Sequence, residues 1–159
     1  LAALAYAVDR AGAKEEMDQW LSTGGMLLCN RYATSSMAHQ GARMPEEKQN
    51  EFVEWLDEME YKVHKIPRED VVVYLSVPWK IGYELTLKKD QRKYMNGKLD
   101  IAEKDMHHRQ ASEAMYLKLA RERNNWITIE CVKDGIILPK EEIHEKIIAA
   151  LKEKNIISF

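Results

Sequence analysis

The chain has 159 residues, 45% hydrophobic and 31% charged, with a formal net charge of −2 at pH 7. That balance fits one globular domain over residues 1–159 with a core of its own. It provides no bulk cationic field, so no nucleic-acid partner is expected. No apolar run approaches membrane-spanning length and the start of the chain carries no secretory pattern, so no membrane association and a cytoplasmic location are expected. Cys29 and Cys131 sit in or beside apolar runs and read as buried thiols of a reducing compartment, not as a disulfide or metal pair.

The first 21 residues predict a helix, closed by Ser22-Thr23-Gly24-Gly25. The chain starts on Leu1, inside that helix, and is expected to be part of a longer protein. Met26-Leu27-Leu28-Cys29 reads as a short buried strand that delivers Asn30, Arg31 and Tyr32 at its C-terminal end. A short helix over 35–41 follows. Pro45 opens the next helix, with Glu46 and Glu47 suiting its N-terminus. This helix should run to about residue 63, with Phe52, Trp55, Leu56, Met59 and Tyr61 facing the core.

Val71-Val72-Val73-Tyr74-Leu75 is a continuous β-branched and aromatic run, the mark of a strand buried on both faces. Pro78 opens a helix to about residue 87. Residues 88–98 carry five basic residues against one acid. A long helix over 101–123, a third strand over 126–131, a turn at 133–135 and a final helix over 140–154 complete the pattern. Strands alternating with helices predict an α/β fold with a parallel sheet. Two of the strands read as interior, so each needs neighbours on both sides, and residues preceding Leu1 are expected to supply one.

Ligands of open α/β sheets bind at the carboxyl ends of strands, and Arg31 sits at such an end. The basic stretch, a lid over about 88–102, could close on a polyanion. A solvated surface loop with an incidental charge cluster is the alternative. His107 and His108 invite a metal reading, but adjacent helical side chains point apart, and no metal site is expected.

Five segments then stand in a telling order: Leu4-Ala5-Tyr6-Ala7-Val8-Asp9-Arg10; Asn30-Arg31-Tyr32 with Ser35; Pro67-Arg68-Glu69-Asp70-Val71-Val72-Val73-Tyr74-Leu75; Arg92-Lys93-Tyr94-Met95-Asn96-Gly97-Lys98-Leu99-Asp100; and Tyr116-Leu117-Lys118-Leu119-Ala120. They resemble the LLFxAxR, DR(Y/H)–xxS, PxPDLVxxL, lid and YLxLA segments of thymidylate kinases, which are P-loop nucleoside monophosphate kinases. The resemblance implies a P-loop kinase-like parallel sheet flanked by helices, here lacking the N-terminal strands. It implies transfer of the ATP γ-phosphoryl to dTMP, giving dTDP, with ATP and Mg²⁺ as cofactors and a homodimer as the assembly. The catalytic residues would be Arg31, Arg92 and Asn30, with Lys93 and Lys98 as lid contacts to phosphate.

By the same resemblance, Tyr6 would stack on the base and Arg10 would hydrogen-bond it. A core tyrosine with a surface arginine is the bland alternative. Ser35, Ser36, His39 and Gln40 would line the nucleotide, with His39 against the sugar unless it is an ordinary structural histidine. The chain departs from the pattern where Asn30 and Ser76 replace aspartates, and Arg109 is out of register with an arginine often found in that helix. No GxxxxGK(S/T) phosphate loop occurs, so little or no kinase activity is expected of these 159 residues alone. A related P-loop kinase of another nucleotide or a deoxynucleoside, or a catalytically degenerate nucleotide-binding homologue, are the competing readings.

Overall fold

The computed structural model describes residues 2–90 and 106–158, in two compact units, Leu1–Glu69 and Asp70–Phe159. The first unit is helical: α1 (Ala2–Gly12), α2 (Lys14–Ser22), α3 (Ala33–Gly41), a 3₁₀ turn (Glu46–Lys48), α4 (Gln49–Asp57) and a π-helical turn (Glu58–Val63). The single helix expected over 1–21 is broken after Gly12, where the Ala13 N–H donates to the Arg10 carbonyl at 3.1 Å. A helix-interior glycine costs about 1 kcal/mol relative to alanine, and the break falls there.

Ala3 and Ala7 of α1 are buried, as are Ala33, Met37 and Ala38 of α3. These two helices pack on each other, and small side chains let their backbones approach closely. Leu56 of α4 is fully buried. The helix expected over 45–63 forms as three consecutive segments, passing from 3₁₀ through α to π pitch. Of its expected core residues, Trp55 is exposed and Phe52, Met59 and Tyr61 are half-buried.

The buried strand expected at 26–29 is not observed. Met26 and Cys29 are exposed, and Leu28 is 97% exposed. A strand needs a hydrogen-bonded neighbour for its backbone groups, and none of the described strands pairs with this segment. What holds it is the end of α2. Gly24, at φ 79°, donates to the Leu21 carbonyl, and Gly25 donates to that of Trp20. Those two bonds make a Schellman cap. The Trp20 indole then donates to the Met26 carbonyl at 3.0 Å, with its ring so close to residue 25 that a Cβ there would lie 2.4 Å from Nε1.

The second unit contains β1 (Val72–Ser76), α5 (Trp79–Asp90), α6 (Met106–Glu122), β2 (Trp126–Glu130), β3 (Val132–Lys133), β4 (Ile136–Ile137) and α7 (Lys140–Glu153). β1 and β2 are parallel, with Val72 opposite Trp126 and Ser76 opposite Glu130. Parallel strands require a crossover connection, and the flanking helices give the α/β arrangement expected of a P-loop kinase-like fold. α6 and α7 both pack on β2. Ser112, Met115 and Leu119 of α6 are buried at helical spacing, while Tyr116 stacks on Tyr74 with centroids 5.2 Å apart.

β1 is not buried on both faces as expected: Leu75 is exposed and its neighbours Val72 to Tyr74 are half-buried. Its run of β-branched residues fixes the strand but overstates the cover. The turn between β3 and β4 uses Asp134 and Gly135, both at positive φ, the Asp-Gly chemistry of a two-residue hairpin. Among the described residues no helix is long and apolar enough to cross a membrane.

The two cysteines separate here. Cys131 is buried and its thiol donates to the Ile129 carbonyl at 3.2 Å, whereas Cys29, expected buried, projects from the unpaired segment. Partial desolvation, and then the Glu69 carboxylate, push the Cys29 thiol above its ordinary value. Because the thiolate is the reacting form, Ellman's reagent should modify one thiol of the native chain, at a rate that rises with pH beyond neutrality. The second should react only on unfolding, and loss of the fast phase in Cys29→Ser checks the assignment.

Candidate functional site

The candidate site in the first unit is organised by the start of α3. Tyr32 precedes the helix in an extended conformation and supplies no side-chain cap. The next four residues, Ala33, Thr34, Ser35 and Ser36, are all buried. The two serine hydroxyls therefore need partners within the fold. Both receive a hydrogen bond from an arginine.

Arg31 donates from Nε to the Ser35 Oγ at 2.8 Å. Its own backbone is left-handed, at φ 70°, which costs roughly 1–2 kcal/mol for a residue with a Cβ. Such strain persists where surrounding structure over-determines it and clusters at functional sites. Arg10 arrives from α1 and donates from Nη2 to the Ser36 Oγ at 3.4 Å. Its Nε donates to Glu60 Oε2 at 3.2 Å, and Nη2 also binds Glu60 Oε1. The Arg10 Cζ stands 5.9 Å from the centroid of the Tyr32 ring.

Glu60 belongs to the π-helical turn and has no exposed side-chain surface, against 14% for Arg10. Sequence reasoning missed it. The available signal was its position: Phe52, Leu56 and Glu60 recur every fourth residue, so a carboxylate falls on the apolar stripe of the helix. An acid there calls for a buried cation, since a buried charge is paired.

The structure thus brings Arg10, Arg31, Ser35 and Ser36 together. Tyr6 lies one turn before Arg10 on α1, on the same face, and is 56% exposed. His39 and Gln40 lie one turn beyond Ser36, half-buried, and Asn30 is exposed beside Arg31. Arg92, Lys93 and Lys98 fall outside the described residues. Among the described residues no group of three His, Cys, Asp or Glu could hold a metal ion. His107 and His108 are successive residues of α6, with His108 Nε2 3.4 Å from the Ser112 hydroxyl.

Two phenols brace the first unit. The Tyr32 hydroxyl donates to the Pro67 carbonyl at 3.0 Å, and the Tyr61 hydroxyl donates to Glu69. Desolvation first, and the Glu69 carboxylate second, hold both phenols well above their ordinary value. Arg68 lies over the Tyr61 ring, 3.7 Å from its centroid, and is paired with Asp57. In the second unit desolvation pushes Tyr74 up to about 12.

A helix start that gathers two arginines on adjacent serines, in a chain that also carries a parallel strand pair with flanking helices, marks the class: an α/β protein with a cationic, hydroxyl-lined helix start. The thymidylate kinase family model matches residues 1–147, and the chain belongs to that family. It is 26% identical over 126 residues to the thymidylate kinase of Mycobacterium tuberculosis, a match covering 78% of this chain and 58% of that relative. It is 28% identical over 153 residues to the probable thymidylate kinase of Pyrococcus abyssi, covering 96% of this chain and 64% of the relative. The chain therefore spans 58% and 64% of the length of these curated relatives.

An alkaline titration tests the phenols. A raised folded-state value means that these groups stabilise the fold fully below the unfolded phenol value near 10, and that this contribution fades as pH climbs through the folded values. Of the seven tyrosines, Tyr32, Tyr61 and Tyr74 should resist ionisation followed at 295 nm at pH values where the phenols of the denatured chain have already ionised. Denaturation and their ionisation should then coincide at higher pH.

Proposed function

We propose that this chain serves a nucleoside monophosphate kinase that transfers the γ-phosphoryl of ATP to dTMP, giving dTDP and ADP. The observation that carries the reading is the pair of arginines on Ser35 and Ser36. Each guanidinium is held by a hydroxyl at the first turn of α3, so both are pre-aimed and little side-chain freedom is lost on binding. Tyr6 supplies an exposed ring for base stacking, Arg10 a donor to the base, and Ser36 and His39 the frame for the sugar, with Gln40 beside them. Arg31, with no ion pair among the described residues, offers its charge to the phosphate.

Phosphoryl transfer asks the protein for alignment and charge neutralisation, not for a covalent intermediate. Arg31 meets that need on the acceptor phosphate. Arg92, with Lys93 and Lys98, meets it from the lid by family resemblance. Asn30 can orient a water or a donor but brings no charge. The described residues do not fit a protein-built Mg²⁺ site, since no carboxylate cluster is present among them. The cation enters as part of the MgATP substrate, and no step is assigned to it. A cytoplasmic homodimer is the proposed setting by the same resemblance.

The chain holds no GxxxxGK(S/T), so we assign it acceptor binding without turnover. A calorimetric titration of the 159-residue chain should show dTMP bound in preference to dCMP and dTTP. Arg31→Ala should weaken dTMP about 10- to 100-fold, the range of a charge-assisted hydrogen bond. A coupled assay with ATP should detect no dTDP; rapid dTDP formation, or no preference among the nucleotides, would overturn the assignment. Asn30 in place of an acid favours one second reading, a degenerate homologue. A form of the protein that carries a phosphate loop, inert as it stands and activated by Asn30→Asp, would establish that reading in place of ours.

A further inference from the structure

We infer that Glu60 is the positioning residue of the candidate site, setting Arg10 to read a neutral carbonyl acceptor on the nucleobase and leaving the phosphate to Arg31. The inference rests on the reading of Arg10 as a base contact and adds a residue that this reading does not contain. A guanidinium offers five N–H donors in one rigid plane. In Arg10, Nε donates to Glu60 Oε2, and Nη2 donates to Glu60 Oε1 and to Ser36 Oγ. Three donors are thereby used, and the two on Nη1 make no hydrogen bond among the described residues. A plane clamped along one edge cannot turn about its Cδ–Nε axis, so Glu60 fixes where those two donors point.

The same clamp sets the chemistry that Arg10 accepts. Glu60 has no exposed surface, so water does not screen its charge, and it offsets that of the guanidinium at contact distance. A neutralised guanidinium is a poor phosphate ligand but a good donor to an uncharged oxygen. Arg31 is held by a neutral hydroxyl instead and keeps its full charge for an anion. The two arginines bonded to adjacent α3 serines are thus given different ligands by what stands behind them. The two remaining donors favour a base that presents a carbonyl and disfavour one that presents an exocyclic amine.

The π-helical turn makes Glu60 available for this. The His64 N–H donates to the Met59 carbonyl, five residues back, at 2.9 Å, and the Ile66 N–H closes the turn on the Glu60 carbonyl at 3.2 Å. Lys65, at φ 54°, reverses the chain there. Such π turns appear as single insertions in helices and concentrate at functional sites. The main chain around Glu60 is therefore pinned independently of its side chain, and exchanging the carboxylate leaves this frame in place.

The test is a double-mutant cycle on the 159-residue chain, read by titration with dTMP, thymidine and 2-deoxyribose 5-phosphate, with folding checked by thermal melting. Glu60→Gln should weaken dTMP and thymidine about 10-fold and leave 2-deoxyribose 5-phosphate within twofold. In an Arg10→Ala background Glu60→Gln should add nothing, because two residues that act as one unit are non-additive. Where Glu60→Gln lowers the melting temperature enough to unfold the chain, Glu60→Asp keeps the charge and withdraws it by one methylene, and should show the same base-selective loss. Equal weakening of all three ligands, or an additive effect in the Arg10→Ala background, would reduce Glu60 to a packing role and overturn the inference. The reading beneath is judged by a separate arm: if Arg10→Ala leaves thymidine binding unchanged, or the wild-type chain binds none of the three, Arg10 is no base contact and both fall together.

Discussion

A carboxylate without exposed surface constrains everything near it, because desolvating a charge costs several kcal/mol unless a partner meets it. In the first unit that carboxylate is Glu60, and its partner, Arg10, comes from a helix fifty residues earlier in sequence. The pair admits few arrangements. α1 must lie where Arg10 reaches the π-helical turn, and α3 must lie where Ser36 takes the remaining Nη2 proton. Ala3 and Ala7 on α1 and Ala33 and Ala38 on α3 supply the close approach that this requires. Apolar burial drives the helices together; the ion pair selects their register, since apolar contact alone is non-directional.

The hydroxyls at the head of α3 work against local convention. Serines near a helix start are commonly spent on capping its free N–H groups, yet this helix has no side-chain cap. Ser35 and Ser36 accept from arginines instead, and the chain enters the helix through a strained residue, Arg31. Local stability is given up twice, in the missing cap and in the left-handed backbone, and both concessions fall at one point. That coincidence supports the reading of the cluster as a site.

Much of this was legible in the sequence where one local cause dominates. The parallel pair followed from alternating strand and helix signals, and the reversal at 133–135 from the turn signal there. Misreadings arose where the outcome depended on partners. Met26-Leu27-Leu28-Cys29 is apolar enough for a buried strand, but a strand exists only with a neighbour, and the Trp20 indole takes its first carbonyl. Gly12 could have been a tolerated helix residue, and only the Ala13 to Arg10 bond makes it a break. Glu60 was legible only in part: its place on the apolar stripe calls for a cation, but the partner that answers lies fifty residues away, and no periodicity encodes that pairing.

Asn30 gains a physical meaning in this setting. An aspartate beside Arg31 would offset part of the guanidinium charge in the free protein, as Glu60 does for Arg10. The amide leaves that charge whole, because it keeps hydrogen-bonding capacity without a formal charge. Ground-state attraction for an anion is therefore stronger than an acid would allow, while help to a hydrated cation is weaker. A binding gain realised equally in the ground and transition states lowers the apparent dissociation constant without speeding chemistry. On the proposed reading, asparagine at this position favours holding a phosphorylated ligand over turning it over.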